Sequence, residues 1–108
     1  MTLQEGIELF RTDQKSQARE KTRESYAYLL RNLETLFGET AIEAISADDI
    51  HQFLLIVTDG GATSSARLRY ARVKALFNFM VENGKIASNP SDDLMLKKTF
   101  RAPPRVYE

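Results

Sequence analysis

Apolar residues recur along this chain at intervals of three and four, the period of a helix face and not of a strand. Leu3, Ile7 and Phe10, with Glu8 and Arg11 turned outward, mark a first amphipathic segment lasting to about Lys15. Thr2 followed by Glu5 has the spacing of a reciprocal N-terminal cap and sets its start. The polar stretch from Gln14 to Glu20 is expected to hold the turn. Thr22 is the expected N-cap of a second helix, whose buried face is Tyr26, Leu29, Leu30, Leu33, Leu36 and Phe37. Gly38 then stands where a left-handed stop is expected.

Ser46, with Asp48 and Asp49 in the first turn, opens a third helix, because acids are favoured at that end of the dipole. Ile50, Phe53, Leu54 and Val57 form its apolar face, and Asp59-Gly60-Gly61 ends it. Thr63 or Ser64 is expected to cap a fourth helix that runs to about Asn83, with Gly84 as its stop. Ala66, Tyr70, Val73, Phe77, Met80 and Val81 line one side of it, and Leu68, Leu76 and Phe79 widen the apolar surface. A helix that apolar is expected at the centre of a bundle. Ile86 is expected to fold back on it, and Asn89-Pro90 is a turn signal. Past Ser91 the pattern weakens to a short turn through Leu94 and Leu96, then an extended stretch with Pro103-Pro104. The fold expected is all-α, a compact bundle of about four helices over residues 1–92, with 93–108 as a linker.

Composition changes this picture little. At 108 residues the chain suits one domain that buries roughly two-thirds of its unfolded surface. With 43% hydrophobic and 28% charged residues it reads as soluble and globular. The absence of Cys excludes disulfides and thiolate metal sites and suits a reducing compartment. No signal pattern opens the chain, and no apolar run approaches the ~20 residues that span a bilayer. A cytoplasmic location is expected.

Charge changes it more. The formal net charge is zero, but the charges are segregated. Glu39, Glu43, Asp48, Asp49 and Asp59 form an acidic block, Arg67, Arg69, Arg72 and Lys74 a basic one, and Lys97, Lys98, Arg101 and Arg105 a second basic run. Local fields follow such faces and not the total. The basic block occupies the N-terminal half of the fourth helix, where the dipole disfavours cations, and no acid at i+3 or i+4 offsets it. An external anion is the expected partner. Hydroxyls of Thr63, Ser64 and Ser65 flank the free N–H groups there, equipment suited to phosphate. Lys21, Thr22, Arg23 and Ser25 repeat the arrangement at the start of the second helix. Charge alone leaves open a duplex-binding face, a solvated surface, or a protein-interaction module using the acidic third helix. A helix-turn-helix regulator fits less well, since no short helix–turn–recognition-helix pair is visible.

Enzymatic constellations are not found. His51 stands alone beside Asp48 and Asp49, and a catalytic or metal site needs several converging groups. Ser64 and Ser65 lack the glycine context of an activated serine. Gly60-Gly61 lacks the spacing and Lys of a phosphate loop. No catalytic residue, metal or cofactor is expected in this chain.

The residues described carry a family resemblance. Thr22-Arg23-Glu24-Ser25-Tyr26 is similar to a T-x-x-x-Y helix start, and Ile45-Ser46-Ala47-Asp48-Asp49-Ile50 to an I-T-x-x-D-I segment. Val73 to Ile86, leading into Asn89-Pro90, resembles L-R-x-F-F-x-Y-A-x-x-x-G-x-I-x-x-N-P. Together, from Leu3 to Pro90, these resemble the SAM-like, core-binding N-terminal domain of tyrosine recombinases and phage integrases. The resemblance implies a bundle forming one half of a clamp on double-stranded DNA, alongside other recombinase subunits, with the domain in isolation a monomer. It assigns strand cleavage and exchange through a phosphotyrosine to a separate C-terminal domain. Pro104-Arg105-Val106 resembles the start of that domain, and Tyr107 lies too early to be its nucleophile. Tyr26 and Tyr70 are expected in the core. The resemblance also turns the second and fourth helices to DNA. Lys21, Thr22, Arg23, Thr63, Ser64, Arg67, Arg69, Arg72 and Lys74 are the contact candidates, with Lys97, Lys98 and Arg101 near DNA along the linker. Arg67 and Lys74 share one stripe, Arg69 and Arg72 another.

Overall fold

The first helix is closed at its N-terminus from two directions. In a computed structural model describing residues 1–58 and 63–93, α1 spans Leu3–Gln17. The Glu5 carboxylate accepts the Thr2 N–H at 2.8 Å while Thr2 Oγ1 accepts the Glu5 N–H at 3.3 Å, the expected reciprocal cap. The N–H groups of Leu3 and Gln4, which no helix can satisfy internally, donate to the carbonyls of Thr40 and Gly38 at 2.8 and 3.0 Å. The chain that follows the second helix therefore seals the start of the first.

α1 outlasts its apolar stripe. Buried Gln14 carries the inward face one turn past Phe10, and in the last turn Ser16 and Gln17 bond back to Asp13. The turn shrinks to Ala18 and Arg19, and α2 spans Glu20–Phe37. Its N-cap is Arg19, which makes no side-chain cap bond; Thr22 already lies inside the first turn and is not the cap. Gly38 also departs from expectation. Its φ of −54° is right-handed, and glycine is required instead by close approach, since a Cβ would stand 2.4 Å from the Glu34 carbonyl oxygen. Leu36 is 46% exposed, because the buried face of α2 centres on Leu29, Leu30 and Leu33.

A 3-10 turn at Ile42–Ala44, absent from the sequence expectation, inserts Ile42 into the core and is followed by buried Ile45. α3 spans Ala47–Thr58 and opens on a Ser46–Asp49 exchange, with Asp49 N–H to Ser46 Oγ at 3.1 Å and Ser46 N–H to Asp49 Oδ2 at 3.0 Å. It buries Ile50, Phe53, Leu54 and Val57 as expected.

α4, Thr63–Glu82, is the central helix, with Tyr70, Val73, Leu76, Phe77 and Met80 all buried. α1 crosses it closely at Gly6, where a Cβ would meet Met80 Sδ at 2.6 Å. Gly84 ends α4 with φ +73°, and Lys85 N–H to Met80 O with Gly84 N–H to Val81 O completes a left-handed stop. Ile86 packs back on the core. Asn89 then sutures a 3-10 turn at Pro90–Asp92 to α4: its amide donates to Lys74 O and Asn78 Oδ1, and its oxygen accepts from Ser91. The described residues thus form an all-α bundle of four helices without a strand. None of these helices is long and apolar enough to cross a membrane.

Candidate nucleic-acid interface

The four cations of α4 do not stand alike. Arg67 is exposed and Arg69 half-buried. Arg72 donates from Nη1 to the Ser25 carbonyl of α2 at 2.8 Å, and its guanidinium lies 5.0 Å from the centroid of the Tyr26 ring. Lys74 pairs with Asp92 at 2.9 Å. The expectation that this block lacks internal partners is therefore corrected for Arg72 and Lys74. Both partners lie far away in sequence, beyond the reach of an i+3 or i+4 rule.

The Arg72 contact carries the geometry of the site, because it draws the basic half of α4 against the N-terminal half of α2. Tyr26 is wedged there, edge-on to Phe10, which in turn meets Phe79 edge-on at the same centroid distance of 5.4 Å. Burial pushes the Tyr26 hydroxyl above the usual tyrosine range, and the Arg72 cation partly offsets this. Lys21, Thr22 and Ser25 are exposed at the start of α2, and Arg23 is half-buried.

A second surface of α4 bears a concavity lined by Arg67, Leu68, Ala71, Lys74, Ala75 and Asn78. Arg67 and Lys74 share this stripe, as their spacing of seven requires. The basic residues therefore occupy at least two surfaces of α4, one toward α2 and one toward the turn at Pro90–Asp92.

Other candidates fall outside this geometry. Thr63 and Ser64 both lie within α4, not at a cap outside it, and their side chains lie outside the described residues. Lys97, Lys98 and Arg101 lie outside them too. Among the described residues no group of three or more His, Asp or Glu is placed to hold a metal ion. The acids Glu39, Glu43 and Asp48 are exposed, while Asp49 is engaged in the α3 cap.

Residues that charge pattern did not single out line the seam between α1 and α2. Arg11 there forms a two-pronged ion pair with Glu34, at 2.8 and 2.9 Å, and a third bond with Glu8. Chiefly the Glu34 bond raises the Arg11 pKa above its ordinary value. Beside it lie Gln14, Lys15 and Arg23. The signal available in sequence was the buried stripe position of Gln14, one turn after Phe10.

No curated protein and no solved structure matches the chain. The family model of the phage integrase N-terminal SAM-like domain matches residues 7–84, from within α1 to the glycine that stops α4. That span takes in α1 from Ile7 onward, the whole of α2, α3 and α4, the Ser46–Asp49 exchange, the Gly84 stop and the contact between α2 and α4, and the chain belongs to the family of phage integrase N-terminal SAM-like domains.

Proposed function

We propose that, within the role in site-specific recombination that its family indicates, the chain grips duplex DNA at the recombination site, while a separate domain carries out strand cleavage and exchange. The observation that supports this reading is the Arg72–Ser25 bond, which sets the basic half of α4 beside the exposed Lys21, Thr22 and Ser25 of α2. The start of α2, held beside the middle of α4 and its cations, suits the phosphates of one backbone. Arg67, Arg69 and Lys21 are the freest cations for this, and Thr22 adds a hydroxyl.

The test is binding to a mixed-sequence duplex over a salt series. Each neutralised phosphate contributes about −0.9 to the log–log slope. Double substitution of Arg69 and Arg72, or of Arg67 and Lys74, by Ala is expected to flatten that slope, with circular dichroism confirming the fold. An unchanged slope in both variants overturns the assignment. A second reading draws on α3, where Leu55 and Ile56 are 49% and 60% exposed beyond the acids. That apolar end suits contact with another protein, such as a neighbouring recombinase subunit. A salt-resistant protein complex without DNA retardation at low salt favours it.

A further inference from the structure

The turn at Pro90–Asp92 brings an acid onto one of the cations of α4. Lys74 Nζ stands 2.9 Å from Asp92 Oδ1, with the Lys74 side chain 22% exposed and that of Asp92 47%. The carboxylate is thus the outer member of the pair, and the ammonium the more covered one.

Exposed ion pairs are usually weak, partly because two side chains must be ordered before they meet. Here the backbone beneath the acid is already fixed. Asn89 donates through Nδ2 to Lys74 O and Asn78 Oδ1, and its Oδ1 accepts the Ser91 N–H and hydroxyl. The Tyr70 hydroxyl donates to the carbonyl of fully buried Ser91, and the Asp92 N–H closes the turn on Asn89 O at 3.0 Å. None of these bonds uses the Asp92 carboxylate. The turn is therefore anchored on the backbone of the same residue whose ammonium it covers.

A carboxylate oxygen at this distance meets an ammonium as a phosphate oxygen does, through a charge-assisted bond of about 2.7–2.9 Å. Only one of the two can hold that position. Arg67, on the same stripe of α4, is exposed, so the two cations of this surface differ in availability.

We propose that Asp92 is a resident competitor for Lys74, which withholds that ammonium from an incoming oxyanion. The proposal rests on the duplex-binding reading and assigns the turn at Pro90–Asp92 control over its strength. In the intact chain Arg67 serves this surface, and Lys74 joins it only when the carboxylate is removed or drawn away.

The experiment is a double-mutant cycle in the full chain, with binding to a mixed-sequence duplex followed by fluorescence anisotropy over a salt series. Asp92→Asn keeps the shape of the side chain and every bond that anchors the turn, but drops the charge. It is expected to bind duplex about two- to fivefold more tightly at about 0.15 M salt, the scale of one exposed ion pair. Its log–log slope is expected to steepen by about 0.9, one phosphate's share. Lys74→Ala alone is expected to leave the wild-type slope, and Lys74→Ala combined with Asp92→Asn to lose the gain. Circular dichroism checks that each variant keeps its helices.

Wild-type affinity and slope in Asp92→Asn, in a chain whose binding still depends on Arg67 and Arg69, overturn the competitor and leave the duplex reading standing. A gain that persists without Lys74 comes from the general field of one acid removed, and overturns the competitor too. So does a slope flattened by Lys74→Ala alone, which places the ammonium on phosphate despite Asp92. If neither wild type nor any variant binds duplex at low salt, the duplex reading falls and takes the competitor with it.

Discussion

Arg72 and Tyr26 illustrate how a side chain's neighbours change what its charge does. In sequence Arg72 is one of four similar cations; in the fold its guanidinium is held by the Ser25 carbonyl and stacked near the Tyr26 ring. A residue braced this way orients α2 against α4 whether or not it touches phosphate. Its effect on Tyr26 is measurable. Burial raises the Tyr26 pKa above 10.0 in the folded state, so the unfolded chain loses its phenolic proton first as pH rises. Stability from this group is therefore complete below about pH 10 and falls as pH climbs from the unfolded toward the folded pKa. Tyr26→Phe is expected to remove that part of the alkaline loss, seen in chemical denaturation at successive pH values. Arg72→Gln removes the offsetting cation and is expected to raise the Tyr26 pKa further. A spectroscopic titration of the tyrosines that shows the opposite shift contradicts the stacked geometry.

Elements divide by whether their determinants are local. The Thr2–Glu5 and Ser46–Asp49 exchanges and the Gly84 stop were legible because each is complete within a few residues. The start of α2 was misread because Thr22 satisfies the cap preference, while the chain actually turns at Ala18 and Arg19 once α1 runs on to Gln17. The 3-10 turn at Ile42–Ala44 is too short to leave a period. At the candidate site the shared surface of Arg67 and Lys74 is legible from their spacing, but Arg72–Ser25 and Lys74–Asp92 join positions whose proximity only the packing creates. Asn89 shows a turn signal acquiring a tertiary meaning. In sequence Asn89-Pro90 says only that the chain bends; in the fold Asn89 uses its amide on Lys74 and Asn78 and its oxygen on fully buried Ser91. Asn89→Ala strands the Ser91 N–H, and an orphaned buried group costs about 1–3 kcal/mol. For a domain of this size, a melting point lower by roughly 5–15 °C is expected in calorimetry. A loss within a degree of wild type shows the turn to be independent of α4.

The whole molecule is neutral, and yet the proposed grip is electrostatic. The two statements agree only if the acidic block acts at a distance from the duplex. Glu43 is exposed on the 3-10 turn before α3 and Asp48 on the first turn of α3, whereas the bond drawing α2 and α4 together lies at Ser25 and Arg72. Exposed charges separated by more than a Debye length are largely screened, about 8 Å at 0.15 M salt but about 30 Å at 0.01 M. The paired substitution Glu43→Gln with Asp48→Asn is therefore expected to leave duplex affinity near wild type at 0.15 M and to raise it at 0.01 M, as measured by fluorescence anisotropy. The log–log slope should steepen only at the dilute end, because no phosphate contact is gained. A marked gain already at 0.15 M places the acids beside the duplex and breaks the two-faced arrangement. Unchanged affinity at both salt concentrations shows that the acidic block does not reach the binding face at all, which leaves α3 free to serve a protein partner.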